Sequence, residues 1–69
     1  NNAAMSKQHP EKTLENVIHE LMKLRKAKGL SHDKLAQKIG VHRTAIGLIE
    51  SGKRSPTLVM CIKIARGLE

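Results

Sequence analysis

The sequence predicts an all-α fold, a compact bundle of four short helices. Three observations carry the prediction. Apolar residues recur at three- and four-residue steps along four stretches, and nowhere in the two-residue alternation of a strand. Glycines close the first three stretches at 29, 40 and 52, where helices end. A chain of 69 residues holds one domain at most, with a modest core.

The opening "NNAAM" reads as a cloning remnant ahead of an initiator Met5, and residues 1–9 as a flexible N-terminus. The domain proper is expected over 10–69. Pro10 suits the first position of a helix, with Glu11 and Glu15 near its positive end. Leu14, Val17, Ile18, Leu21, Leu24 and Arg25 form its stripe, and Gly29 stops it in a left-handed cap. Ser31 caps a second helix of about eight residues that Gly40 ends. Lys34 stands where a capping box wants Glu or Gln, so only half of that start signal is present. Val41 turns back to the core, and His42 is expected to cap a third helix, Arg43 to Ser51, weakly. "SGKRSP" is a loop. Thr57 caps a fourth helix, whose expected apolar face is Leu58, Cys61, Ile62, Ile64, Ala65 and Leu68. The core list is Leu21, Leu30, Leu35, Ala36, Ile39, Val41, Ile46, Ile49, Leu58, Ile64, Ala65 and Leu68.

The formal net charge is +7, and its distribution matters more than its size. Between Lys34 and Arg66 stand Lys34, Lys38, Arg43, Lys53, Arg54, Lys63 and Arg66, against the single acid Glu50. A basic half without counter-charges predicts an anionic partner. Phe, Tyr and Trp are absent. Single-stranded nucleic acid is bound on aromatic stacking platforms, and interfacial membrane helices usually carry bulky aromatics. Duplex DNA, held by phosphate and groove contacts, needs none. No apolar run approaches the roughly 20 residues of a bilayer span, and no secretory signal opens the chain. The lone Cys61 excludes an intrachain disulfide and reads as a small core residue, which fits a cytoplasmic protein.

On a wheel of about 100° per residue, Ile46 and Ile49 share the inner face of the third helix, with Ala45 at its margin. Arg43, Gly47 and Ser51 line another face, with Thr44 and Leu48 beside them. That second face is free to enter a DNA groove. Arg43 offers a bidentate contact to guanine, and Thr44 a bond to a base edge or contact with a thymine methyl. Gly47 leaves room for close approach. Leu48 either touches a thymine methyl or is an ordinary exposed leucine. The tight turn at Gly40 props this helix across its predecessor, so that its N-terminal end projects. That arrangement is a helix-turn-helix. Ser31, His32, Lys38, Ser51, Lys53, Arg54 and Ser55 are the phosphate-contact candidates; for Ser31 and His32 the reason is the positive end of the second helix.

"GLSHDKLAQKIGVHRTAIGLIESGKRSPTL" resembles the Cro/phage-repressor type of helix-turn-helix, the XRE family with its lambda-repressor-like fold. Leu30-Ser31 opens the second helix, Leu35-Ala36 lies on its inner face and Ile39-Gly40-Val41 makes the turn. Arg43-Thr44 starts the recognition helix, Glu50-Ser51-Gly52-Lys53-Arg54 closes it before Pro56, and "IKIARGLE" is similar to the fourth helix. The resemblance covers Leu21 to Leu68. It implies a double-stranded DNA-binding transcriptional regulator, active as a homodimer on a palindromic operator. It is nearest to restriction–modification controllers and to compact phage or antitoxin regulators, and does not separate them. It also implies that Arg25 and Glu50 form an ion pair tying the first helix to the third. His42 stands where the family carries Ser or Thr, and His32-Asp33 where it carries Gln or Glu. The family usually continues into a fifth helix that often builds the dimer, whereas this sequence stops at Glu69.

Other chemistry finds little support. The histidines at 9, 19, 32 and 42 never fall three or four residues apart, so no metal is expected. "HELMK" at His19 lacks the second histidine of a zinc hydrolase motif. No catalytic triad, paired carboxylates or glycine-rich phosphate loop is present, so neither enzymatic activity nor a cofactor is expected. The rival reading is a protein-interaction module, an adaptor or antitoxin on the same fold, using Val59, Met60 and Ile62 of the fourth helix.

Overall fold

The computed structural model describes residues 10–69, so the expected remnant and N-terminal segment 1–9, and with it His9, lie outside the described residues. Four helices follow one another: α1 (Pro10–Ala27), α2 (His32–Ile39), α3 (Arg43–Glu50) and α4 (Leu58–Gly67). No strand occurs among the described residues. α1 and α2 each pack against both α3 and α4.

The turns explain the boundaries. Gly29 adopts φ 70°, and the Leu30 amide reaches back to the Arg25 carbonyl at 3.1 Å, closing α1. Ser31 Oγ accepts from the Lys34 amide at 3.0 Å and starts α2. Gly40 takes φ 75°, and the amides of Gly40 and Val41 both donate to the Ala36 carbonyl, at 2.9 and 3.0 Å. A Cβ-bearing residue is disfavoured at that φ, so glycine makes the abrupt α2–α3 turn. α3 ends one residue earlier than expected, at Glu50, with Ser51 as its C-cap. The loop then folds over the Leu48 carbonyl, which accepts the amides of Lys53 and Arg54 and the Ser51 hydroxyl at 2.9, 3.2 and 3.1 Å. Thr57 caps α4 through the Met60 amide at 3.1 Å. His42 occupies the N-cap of α3 with the right backbone, but its side chain makes no capping bond. The expected weak cap is therefore absent.

Ile18, Leu35, Ala36, Ile46, Ile49, Ile64 and Leu68 form the buried core, flanked by Leu14, Leu21, Leu30, Ile39, Val41, Met60 and Cys61. Two expected core residues belong to neither the core nor its flank. Leu58 is 76% exposed and Ala65 is exposed. Ile62, placed on the inner face of α4, is exposed, and Met60, placed outside, packs inward. The stretch is apolar nearly all round, so periodicity leaves two overlapping stripes open, and tertiary packing chooses between them. The inward stripe is Met60, Cys61, Ile64, Gly67 and Leu68. Gly67 explains the choice. A Cβ there would collide with the Ile39 Cγ2 methyl and stand 3.1 Å from Leu35 Cδ1. α4 lies so close to α2 that only glycine fits at the crossing. On α1, Ile18 is buried although absent from the expected core, while Val17 and Leu24 of the stripe are about half exposed.

Candidate nucleic-acid interface

α3 is the centre of the candidate surface. Ile46 and Ile49 anchor it in the core, leaving the opposite side outward. An α-helix with its side chains is about 10–12 Å across, comparable to the width of a DNA major groove, and α3 runs for eight residues. A shallow depression of about 640 Å3 runs along this side, lined by Ser31, His32, Asp33, Arg43, Thr44, Gly47, Leu48, Ser51 and Lys53. All four base-contact candidates thus lie together, beside four of the seven phosphate-contact candidates. Arg43 and Thr44 are exposed, while Gly47 and Leu48 are half-buried.

The remaining three phosphate candidates lie elsewhere. Lys38 is exposed at the far end of α2 and does not line the depression. Arg54 and Ser55 line a second cavity of about 680 Å3, walled by Leu14 and Ile18 of α1, Ile49, and Pro56. The loop after α3 turns at Gly52 and then presents Lys53 to the depression and Arg54 and Ser55 to the second cavity. Asp33 was not anticipated on this surface. It brings an acid beside the cations and is touched only loosely by Gln37 Nε2, at 3.5 Å. Its place in the first turn of α2, next to His32, was the available signal.

Behind the surface lies a charged network. Arg25 is only 7% exposed, and Nε donates to Glu50 Oε2 at 2.7 Å while Nη2 donates to Oε1 at 2.9 Å. Nη1 donates to the Leu30 carbonyl at 2.6 Å. One guanidinium therefore joins α1, the α1–α2 turn and the end of α3. His32 Nε2 lies 2.9 Å from Glu50 Oε1 and brings in α2. Burial pushes the Glu50 carboxyl pKa up, but hydrogen bonds and positive charge from Arg25 and His32 outweigh that push and hold it below its ordinary value. Sequence reasoning assigned His32 to phosphate and missed its bond to Glu50, because residues 18 apart declare no contact by spacing.

No group of side chains able to hold a metal ion occurs among the described residues, and no helix there is long and apolar enough to cross a membrane.

The helix-turn-helix family profile matches residues 21–69. Two curated relatives, each named an uncharacterized HTH-type transcriptional regulator, are similar to part of this chain. One, from Methanothermobacter thermautotrophicus, is 43% identical over 44 residues, which is 64% of this chain and 64% of that protein. The other, from Archaeoglobus fulgidus, is 45% identical over 38 residues, 55% of this chain and 54% of that protein. The chain thus spans less than two thirds of the length of the curated relatives it matches. No solved structure matches it. The four-helix architecture, the glycine turn between α2 and α3 and the profile match over most of the chain agree: the protein belongs to the helix-turn-helix family, of the Cro/phage-repressor (XRE) type.

Proposed function

We propose that this protein is a sequence-specific, double-stranded DNA-binding transcriptional regulator whose α3 reads the major groove. The observation that carries the reading is the depression along α3, where Arg43, Thr44, Gly47 and Leu48 lie beside Ser31, His32, Ser51 and Lys53. Arg43 and Thr44 address base edges, Gly47 permits close approach and Leu48 supplies an apolar contact. Ser31, His32, Ser51 and Lys53 take phosphates around them, with Lys38, Arg54 and Ser55 reaching the backbone further out. The names of the two archaeal relatives support the same reading.

One helix of this length reads too few base pairs to find a site in a genome, so the functional unit is a twofold dimer. Two recognition helices in successive major grooves require half-sites about 34 Å apart. Val59, Ile62, Lys63 and Arg66 share an exposed side of α4 and are the dimer candidates. The test is a salt titration of duplex affinity. With about four to six phosphates contacted per subunit, each contributes roughly −0.9 to the slope of log K against log salt. A slope near zero refutes the DNA reading. Selection from random duplexes should return an inverted repeat, and a site without one refutes the dimer.

The exposed Leu58, Val59 and Ile62 also favour a second reading, an adaptor or antitoxin that binds protein through α4. Early elution from a duplex-DNA column at low salt would select it.

A further inference from the structure

The His32 ring stands between the buried charge network and the α3 surface. Its Nε2 lies 2.9 Å from Glu50 Oε1. Its other nitrogen faces the space left open by Gly47: a Cβ built there would stand 3.7 Å from Nδ1. The side chain is 43% exposed and lines the depression with Arg43, Thr44 and Lys53. One ring edge is thus committed inward and the other is presented to whatever fills the depression.

The inward bond fixes the tautomer. Glu50 accepts two bonds from Arg25 and is held as a carboxylate, which has only acceptors to offer. Nε2 must therefore carry a hydrogen whenever the 2.9 Å bond is made. A neutral ring has one N–H, so its Nδ1 is then a bare lone pair, which repels a phosphodiester oxygen. Only a second proton turns Nδ1 into a donor.

We propose that His32 meets DNA as an imidazolium, with Nε2–H on Glu50 and Nδ1–H on a phosphodiester oxygen, and that binding takes up this proton from solvent. The proposal rests on the reading of this surface as the DNA interface. The charges facing the ring set the balance. Glu50 on α3 and Asp33 on α2 favour the charged ring. Arg43 on α3 and Lys53 in the following loop oppose it, as does Arg25 on α1, which already neutralises much of Glu50. A phosphate arriving at Nδ1 adds negative charge and tips that balance toward the imidazolium. His32 thereby makes affinity proton-dependent, in addition to supplying a backbone contact.

The test measures binding of a labelled mixed-sequence duplex at constant salt through roughly pH 5 to 8, where histidine side chains change charge. The association constant should fall as pH rises, approaching about tenfold per unit for each proton taken up. Calorimetry of the unaltered protein, in buffers of different ionisation enthalpy, should report uptake of about one proton per subunit on this account. H32Q keeps a donor for Glu50 but cannot titrate, so it should lose that dependence, while H42Q should retain it. In the free protein at alkaline pH, long-range proton–nitrogen NMR should find His32 as the Nε2–H tautomer. Duplex binding with no proton uptake, an unchanged slope in H32Q, or an Nδ1–H tautomer overturns the proposal while leaving the DNA reading intact. No duplex binding at any pH overturns both.

Discussion

The Arg25 guanidinium and the Glu50 carboxylate, 25 residues apart in sequence, face each other fork to fork at 2.7 and 2.9 Å, with both side chains nearly buried. Such a pair contributes little net stability against its desolvation, yet losing one member strands the other. Arg25→Ala should therefore cost about 3–5 kcal/mol. Lys26→Ala, which removes the same charge from an exposed neighbour, should stay within about 0.5 kcal/mol. Thermal melts of the two variants decide the matter; equal, small losses would mean that the pair does not organise the fold.

The same pair sets an acid limit. Glu50 has its folded pKa below the ordinary 4.5 of an unfolded chain. Its contribution is complete above that value and is lost as pH falls through the lower, folded pKa. Melting temperature should decline on acidification below about pH 4.5. Glu50→Gln should lower stability at neutral pH, because Arg25 is left uncompensated, and should flatten this acid decline. An undiminished acid slope in the variant would assign the loss to other carboxylates.

Two glycines on helices should respond in opposite ways. Gly67→Ala drives a methyl into Ile39 and Leu35 and should cost about 1–3 kcal/mol. At Gly47 the new methyl meets only His32, at ordinary contact distance, and alanine is the better helix former by about 1 kcal/mol. Gly47→Ala should therefore melt at the same or a higher temperature while binding duplex DNA more weakly. Tighter binding by this variant would remove Gly47 from the contact surface.

His42 holds an N-cap backbone without using it for a side-chain bond. Ser in its place can accept from the first turn of α3, so His42→Ser should stabilise the fold by about 1 kcal/mol. Chemical denaturation reads the change directly. A loss of stability would reveal a packing role for the imidazole.

Local chemistry was legible in the chain. Gly29, Gly40 and Gly52 stand in left-handed conformations at the helix ends expected of them, and Ser31 and Thr57 cap the helices that follow them. The inner face of α3 was equally plain, because Ile46 and Ile49 share one side of the helix while Arg43, Thr44 and Gly47 mark the other. These features depend on residues a few positions apart, and sequence states such relations outright. α4 was not legible in the same way. Its apolar residues surround the helix, so the sequence places Leu58 and Ala65 in the core with Ile64, and Met60 outside it. Which stripe turned inward was decided by Gly67, whose missing side chain lets α4 close onto Leu35 and Ile39 of α2. The bond from His32 to Glu50 likewise exists only once α2 and α3 cross. Sequence determines what each helix can bury and where it stops. Close approach between helices selects among the faces that remain, because packed side chains exclude one another at distances no linear spacing encodes.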